Sequence, residues 1–330
     1  MRKYWPYVGS MAFLFFSIAV FAHALTEVKT KGNEKRVSFI AAITNQGYWG
    51  RAADGAQTRG ESLGLHVKCF GQTDLDAEKL LTNLEIAVNS KVDGIITYGL
   101  NQSEEFHLLQ EMAAQEGIPL VLIDSDVEGG ERLCYIGSDN YRTGKQAGEM
   151  MEEECDGEGQ ILLVISDKTV KNQIERIKGF EDVLKEHDRM QIVEYLEIGS
   201  NRLLAKQRIV KALEQNPEIK GIFCTEGVGT GACCQVLQEQ KMMCPPFCVI
   251  GYDYSQSVGS AMEDGYITGC IQQDSRRMGE LAAEILYQYL AEGKEPPKVV
   301  YTDSLMIQKN NMEDAEKIEY KNVHVQWHHY

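Results

Sequence analysis

The feature that most constrains the fold is an alternation of short apolar runs with longer segments of helical periodicity, over residues 37–307. A continuous apolar run predicts a strand buried on both faces. Repeated strand–helix units predict parallel sheets covered by helices. Two series of about five units each, the second beginning at Ile161, fit two doubly wound sheets better than one eight-stranded barrel. The fold class expected is therefore α/β, with two similar parallel-sheet lobes.

The first strand–helix unit carries two adjacent aromatic residues, Tyr48 and Trp49. The sequence predicts a strand over residues 39–43, a polar loop over residues 44–50 and then a helix that ends near Leu63. A loop after the carboxyl end of a strand lies where ligands bind in an open α/β sheet. The aromatic pair is either a platform for a ligand or a plug for a domain interface, and its position favours the platform.

Acids and amides recur where the other predicted strands end. An aromatic face packs on the C–H face of a sugar ring, and carboxylates accept hydrogen bonds from neighbouring hydroxyl groups. This mixture suits a polyhydroxylated or amine-bearing small molecule. For any single acid, capping of the following helix is at least as good an explanation, but five acids at one sheet edge weaken it. The strand-end residues are Gln46, Asp124, Ser125, Asp126, Asp167, Glu226, Asp253 and Gln273.

The N-terminus has the three regions of a secretory signal peptide. Arg2 and Lys3 precede an apolar run over residues 8–22, and an A-x-A site at residues 22–24 would allow cleavage after Ala24. An uncleaved membrane anchor is the alternative, although the apolar run is short for a span of about 20 residues. The first sixty residues contain no cysteine, which excludes a lipoprotein anchor. We expect an exported body that works outside the cytoplasmic membrane, secreted or anchored.

The net charge of the chain excludes two classes of partner. The chain of 330 residues has 49 acidic against 33 basic residues and a net charge of -16, which argues against nucleic-acid or anionic-membrane binding.

Nine cysteines leave at least one thiol unpaired in an exported protein. Their spacing does not match a zinc site, so buried thiols are expected, with a disulfide between Cys244 and Cys248 as an option. No metal site is predicted.

One motif favours a different class of protein, an NAD-binding oxidoreductase. Residues 227–232 fit G-x-G-x-x-A after a strand, and Asp253 follows at roughly the spacing of a dinucleotide fingerprint of about 20 residues. Glu226, however, would face the pyrophosphate with a like charge. Close packing of helix and sheet explains these glycines better. The motifs of metalloproteases, P-loop proteins and α/β-hydrolases do not occur, so no enzyme is expected.

Several segments in a fixed order resemble the periplasmic sugar-binding proteins of the ribose-binding type. The resemblance covers residues 37–307, and it implies two lobes joined by three crossover strands, with the ligand clamped between the lobes and no cofactor. It also implies a membrane permease of an ABC transporter as the partner and a monomer as the working form. The segments are NQGYWG (45–50), ADGAQ (53–57), PLVLID (119–124), IGSDNYRTGKQAGE (136–149), ERIKGF (175–180), VIGYD (249–253) and IQQD (271–274).

The resemblance also implies domain boundaries, with hinge crossings near Ser138, Gln273 and Asp303. The segments are 1–24 (signal peptide or anchor), 25–36 (spacer), 37–138 plus 274–302 (N-terminal lobe), 139–273 plus 303–311 (C-terminal lobe) and 312–330 (polar tail, expected to be loosely ordered). The ligand-binding residues that it implies are Gln46, Tyr48, Trp49, Asp124, Ser125, Glu226, Asp253 and Gln273.

The sequence departs from the family pattern at three of the matching positions. Ser125 and Ile174 stand where arginines are usual, and Glu226 stands where an asparagine is usual; Arg176 is interpreted as a structural arginine. The cleft should therefore be more negative than the clefts of other family members. A more negative cleft favours an amino sugar or another cationic polyol over ribose. A membrane histidine kinase is the alternative partner. The closed form of the protein would then signal to that kinase. A transcription regulator is excluded, because residues 1–36 contain no helix-turn-helix.

Overall fold

A computed structural model describes residues 35–44, 47–73, 75–244, 247–319, 325 and 327–328. The predicted signal peptide or anchor over residues 1–24 lies outside the described residues, as does Gln46. Within the described ranges, no helix has both the length and the apolar character needed to span a bilayer.

Strands and helices alternate along the chain as the apolar pattern predicts. The strands are β1 (Lys35–Ile40), β2 (Leu65–Phe70), β3 (Gly94–Thr97), β4 (Leu120–Ile123), β5 (Cys134–Ser138), β6 (Glu158–Ile165), β7 (Arg189–Glu197), β8 (Ile219–Cys224), β9 (Cys248–Tyr252), β10 (Gly269–Gln273), β11 (Val299–Thr302), β12 (Ser304–Ile307) and β13 (Trp327–His328). The helices are α1 (Tyr48–Ser62), α2 (Ala77–Asn89), α3 (Glu104–Gln115), α4 (Asn140–Glu154), α5 (Lys171–Leu184), α6 (Arg202–Gln215), α7 (Gly227–Gln240), α8 (Gln256–Glu263), α9 (Ser275–Glu292) and α10 (Met312–Glu319).

The strands form two sheets with the same internal order. The first sheet runs β11-β5-β4-β3-β1-β2-β13, and the second runs β12-β10-β9-β8-β6-β7. The neighbouring strands pair in parallel, apart from β12, which is antiparallel to β10. Strands β3, β4, β5, β9 and β10 are buried along their whole length, as both-face burial of a parallel sheet requires. This confirms the predicted fold class of two doubly wound α/β lobes.

The chain passes between the two sheets three times. It leaves the first sheet after Ser138, returns after Gln273 and passes again between β11 and β12. Helix α4, which follows the first passage, packs on α5, and α9, which follows the second, packs on α1. Asp139 and Asp274 cap these two helices by accepting hydrogen bonds from backbone N–H groups. We propose lobe boundaries along this path, at the residues that the sequence indicated.

Glycines allow these two helix pairs to cross closely. A side chain at Gly279 of α9 would collide with the backbone oxygen of Ala52 in α1, and one at Gly144 of α4 would collide with the backbone oxygen of Arg176 in α5. Each crossing therefore brings two backbones into direct contact. The helix that follows each passage is held firmly against the lobe that it joins.

Two local predictions differ from the structure. Tyr48 and Trp49 lie in the first turn of α1 and not in a loop, because the helix begins directly after Gly47. The polar tail was expected to be loosely ordered, but Met312 and Ala315 of α10 are buried in the second lobe and β13 pairs with β2. The few apolar residues of the tail suffice to attach it at both places.

All nine cysteines are free thiols, so the optional disulfide between Cys244 and Cys248 is not formed. Eight of them are buried and Cys244 is half-buried. Burial raises the pKa of the Cys134 thiol to about 11, because a thiolate is poorly solvated there. These side chains serve as small apolar groups of the core.

Candidate functional site

Two carboxylates end equivalent strands in the two sheets. Asp124 follows β4 with a φ of 66°, and Asp253 follows β9 with a φ of 61°. Each donates its backbone N–H to the next strand of its sheet, Asp124 to Ile136 O at 3.0 Å and Asp253 to Ile271 O at 2.9 Å. Aspartate tolerates this left-handed conformation better than most residues. The backbone thus turns sharply after both strands and holds the carboxylates at the sheet edge where ligands bind in such folds.

Asp124 is bonded from both lobes. Tyr48 Oη donates to its Oδ1 at 2.7 Å, and Asn172 Nδ2, from the start of α5, donates to its Oδ2 at 3.3 Å. Burial raises the pKa of Asp124 to about 6, against the lowering effect of the Arg176 guanidinium and of the Tyr48 hydrogen bond. Burial also raises the pKa of Tyr48, so its hydroxyl remains a donor.

Tyr48, which bonds to Asp124, belongs to a group of three aromatic rings in the first lobe. Trp49 packs edge-on against Tyr48, with the ring centroids 5.6 Å apart. It also packs against Tyr98 in a tilted arrangement, with the ring centroids 5.3 Å apart. Trp49 is only 7% exposed and belongs to the core of the first lobe, whereas Tyr48 is half-buried. The pair therefore has a packing role as well as the proposed stacking role, and Tyr48 bears the polar contact.

Asp253 is held by residues at the passages between lobes. Gln273 Nε2 donates to Asp253 Oδ1 at 3.0 Å, and Gln273 Oε1 accepts from Ser138 Oγ at 3.1 Å. Gln273 and Ser138 are almost completely buried. Hydrogen bonds thus link the Asp253 carboxylate to Gln273 and, through Gln273, to Ser138. The chain passes between the two lobes directly after each of these two residues.

Arg176 is buried and donates to three acceptors of the protein. Its side chain is 1% exposed and lies over the ring of Tyr252, 4.1 Å from the centroid. It donates to Asn140 Oδ1 at 2.9 Å, to the Thr225 carbonyl at 2.8 Å and to Gln273 Oε1 at 2.9 Å. Its charge also lowers the pKa of Asp124 and of Glu226. The cleft therefore retains one buried cation.

Glu226 caps α7. Its two carboxylate oxygens accept hydrogen bonds from the N–H groups of Val228 and Gly229, both at 2.6 Å. Burial raises its pKa to about 7, although these two hydrogen bonds act to lower it. A dinucleotide would need the same N–H groups for its pyrophosphate. The carboxylate already occupies them, which counts against the oxidoreductase.

The side chains of the other strand-end residues that the structure describes form no hydrogen bond to this group. Ser125 is 1% exposed, and no described residue lies within hydrogen-bond distance of its Oγ. Asp126 is paired with Arg132, whose Nε donates to Oδ1 at 2.6 Å. Asp167 is exposed and accepts from the backbone and hydroxyl of Thr169 at 2.7 Å. Of the predicted site residues, the structure thus brings together Tyr48, Trp49, Asp124, Glu226, Asp253 and Gln273.

Asn172, which contacts Asp124, was not named in the sequence prediction, and Arg176 was interpreted there as a structural arginine. They lie four residues apart at the start of α5, so they share one face of the helix. A second contact between the lobes lies beside them, where Lys171 Nζ is 3.7 Å from Asp126 Oδ2. The N-x-x-x-R spacing, at a helix that follows a strand end, was the signal that could have found them.

No group of three or more histidine, cysteine, aspartate or glutamate side chains is arranged to hold a metal ion in the described part of the chain. The candidate site combines side chains from the two lobes. Aromatic rings and one acid come from the first lobe, and acids, an amide and a guanidinium come from the second.

Comparisons with known proteins agree with this arrangement. The chain is 23% identical over 302 residues to the D-apiose import binding protein of Paraburkholderia graminis, covering 89% of this chain and 95% of the relative. The crystal structure of GanP, a glucose-galactose binding protein from Geobacillus stearothermophilus, superposes with a TM-score of 0.81 at 26% identity, covering 85% of this chain and 99% of that one.

A further structural neighbour is XylFII in the XylFII-LytSN complex, with a TM-score of 0.76 and 28% identity over 84% of this chain and 99% of that one. The family model described as periplasmic binding protein domain matches residues 37–295. That match spans most of the chain and both sheets. The chain therefore belongs to the periplasmic binding protein domain family.

Proposed function

We propose that this protein is an extracytoplasmic solute-binding protein that clamps a small polyhydroxylated ligand, a sugar, amino sugar or similar molecule, between its two lobes. The observation that carries the proposal is the meeting of Asp124 and Asp253, from equivalent strand ends, around one buried guanidinium. Carboxylates accept hydroxyl hydrogens, and the rings beside Asp124 offer a face to the carbon frame of a sugar. The relative named as a D-apiose import binding protein supports the same ligand class.

The mechanism follows from the contacts between lobes. Ligand binding shifts an equilibrium between open and closed lobes by its preference for the closed form. Asn172 and Lys171 of the second lobe reach Asp124 and Asp126 of the first, so closure brings the two halves of the site together. The passages beside Ser138, Gln273 and Asp303 are the hinges that we propose.

A thermal-shift screen of pentoses, hexoses, amino sugars and inositols tests the proposal. We expect a stabilising ligand whose effect is lost in Asp253→Asn and Asp124→Asn, and kept in Asp167→Asn, a strand-end acid whose hydrogen bonds are local. Trp49→Ala is a less specific probe, because it also removes core packing. Ligand stabilisation that persists in both Asp124→Asn and Asp253→Asn would place the site elsewhere.

The partner that receives the closed form is proposed to be an ABC permease. A membrane histidine kinase is the second candidate, and the neighbour solved as the XylFII-LytSN complex favours keeping it. Ligand-dependent stimulation of ATP hydrolysis by the permease in membranes would support the first. Ligand-dependent capture of a kinase sensor domain, with no stimulation of a permease, would support the second.

A further inference from the structure

Several hydrogen-bond donors of the cleft are directed at acceptors of the protein. Each guanidinium nitrogen of Arg176 donates to a protein acceptor, at 2.8 to 2.9 Å. The Tyr48 hydroxyl donates to Asp124, and the Gln273 amide donates to Asp253. Three of the five guanidinium N–H groups and one N–H of the Gln273 amide are therefore directed at the protein itself, whereas the carboxylates retain lone pairs.

Asn172 presents an acceptor without a partner. Its side chain is 5% exposed, and none of the described residues donates to its Oδ1. The orientation of the amide follows from its neighbour, because Nδ2 donates to Asp124 Oδ2 at 3.3 Å and the flipped amide would place oxygen against oxygen. A buried acceptor of this kind needs a donor, and a ligand bound at Asp124 is in position to supply it.

The charges of the cleft are also unequal. Asp124, Glu226 and Asp253 contribute three carboxylates, and the charge of Asp253 raises the pKa of the other two. Arg176 is the cation that lowers the pKa of both. Lys171 is directed to Asp126. Buried charges without counterions are costly, so a cation that enters this cleft gains more than a neutral molecule of the same shape.

We propose that the ligand is a polyol bearing a protonated amine, bound among Asp124, Asp253 and Glu226, with Asn172 Oδ1 accepting one of its hydrogen bonds. This inference rests on the proposed function and narrows its ligand class. Glu226 supplies the selectivity for the charge, because it adds a carboxylate to a cleft that already holds one acid from each lobe. Asn172 acts as a ligand-binding residue and joins the second lobe to Asp124.

Proton release provides a readout that does not depend on a variant. The pKa values of about 6 for Asp124 and about 7 for Glu226 leave part of the carboxyl groups protonated near pH 6.5. An ammonium group stabilises the ionised forms, so binding expels protons; a neutral sugar lacks this effect. Calorimetry in two buffers of different ionisation enthalpy measures the number of protons released.

The test compares matched pairs on the purified full-length protein: glucose with glucosamine, galactose with galactosamine and mannose with mannosamine, each beside its N-acetyl form. We expect at least one amine to bind ten or more times as tightly as its neutral partner, with proton release at pH 6.5. Glu226→Gln should reduce that preference to less than about threefold. Asp167→Asn, the matched control, should keep the preference.

The outcomes separate the two proposals. Neutral sugars that bind as tightly as the amines, without proton release, would overturn the inference and leave the proposed function standing. If no sugar or amino sugar binds, both are contradicted. Asn172→Ala should weaken binding of the amine at least tenfold, and wild-type affinity in that variant would remove Asn172 from the site.

Discussion

The two lobes share a scaffold but differ in the chemistry that they present. In each sheet five strands follow the same order, and the fourth of these along the chain ends at an aspartate with φ near 60°, Asp124 in one lobe and Asp253 in the other. Asp124 is bonded to Tyr48, which belongs to a group of three aromatic rings. Around Asp253 stand a buried guanidinium, an amide and a second acid.

This difference shows that the strands determine where the two carboxylates lie, whereas the neighbouring helices determine which side chains surround them. The strand ends fix the two carboxylates, because their position follows from the parallel sheet and its turn. Helices α1 and α5 then decide what surrounds each acid, since their first two turns contribute Tyr48 and Trp49 to one lobe and Asn172 and Arg176 to the other. The lobes can therefore diverge in chemistry without any change of fold.

The largest effect is expected from the guanidinium that belongs to the second lobe alone. Arg176→Ala leaves Asn140, Gln273 and the Thr225 carbonyl without a buried donor, and it leaves the acids without their counterion. The free energy of unfolding should fall by about 4 kcal/mol, as for other buried pairs that lose one partner. Urea denaturation measures it. A loss below about 1 kcal/mol would show that the second lobe does not depend on this charge.

The pH dependence of stability tests the acids of both lobes together. The pKa of Asp124 rises from 3.8 to about 6 and that of Glu226 from 4.5 to about 7 on folding, so the folded protein binds more protons than the unfolded one between about pH 4 and 7. Ligand-free stability should therefore fall as pH rises through this window, by up to about 3 kcal/mol for each group.

The control for this pH effect is the double variant Asp124→Asn/Glu226→Gln. Its stability should change less between pH 4 and 7 than that of the wild type, measured by denaturation at each pH. A wild-type curve that rises with pH relative to the double variant would contradict the buried placement of both acids.

The equivalence of the two strand ends is tested by paired substitutions. At φ values of 66° and 61°, asparagine is tolerated, whereas alanine meets the steric penalty of the left-handed region, about 1.5 kcal/mol. We expect Asp124→Ala and Asp253→Ala to be less stable than the corresponding asparagine variants by similar amounts in thermal or urea denaturation. Equal stability of alanine and asparagine at either site would break the symmetry between the lobes.

The smallest effect is expected at the hydroxyl that distinguishes the first lobe. Tyr48→Phe keeps the ring and removes the donor to Asp124 Oδ1, so the free energy of unfolding should fall by about 1 kcal/mol near neutral pH. The pKa of Asp124 should rise further, which NMR titration of its carboxyl carbon can follow. An unchanged pKa in this variant would mean that the hydroxyl does not stabilise the carboxylate.

Much of the fold followed from local pattern. Continuous apolar runs of strand length predicted the buried parallel strands, because a strand covered on both faces needs no polar alternation. The same pattern located the strand ends, and with them Asp124, Asp253 and Gln273. Tyr48 was located too, although in a loop and not in the first turn of α1, because the exact start of a helix depends on how the chain leaves the sheet.

What the sequence by itself determined is the α/β class, the division into two series of strand–helix units and the acids at the sheet edges, since each depends on periodicity within short segments. The tertiary structure decided which side chains meet. Asn172 contacts Asp124 from 48 residues away and from the other lobe, and Arg176 reaches Gln273 across 97 residues. Such contacts depend on how helices cross and lobes close, so no local pattern contains them.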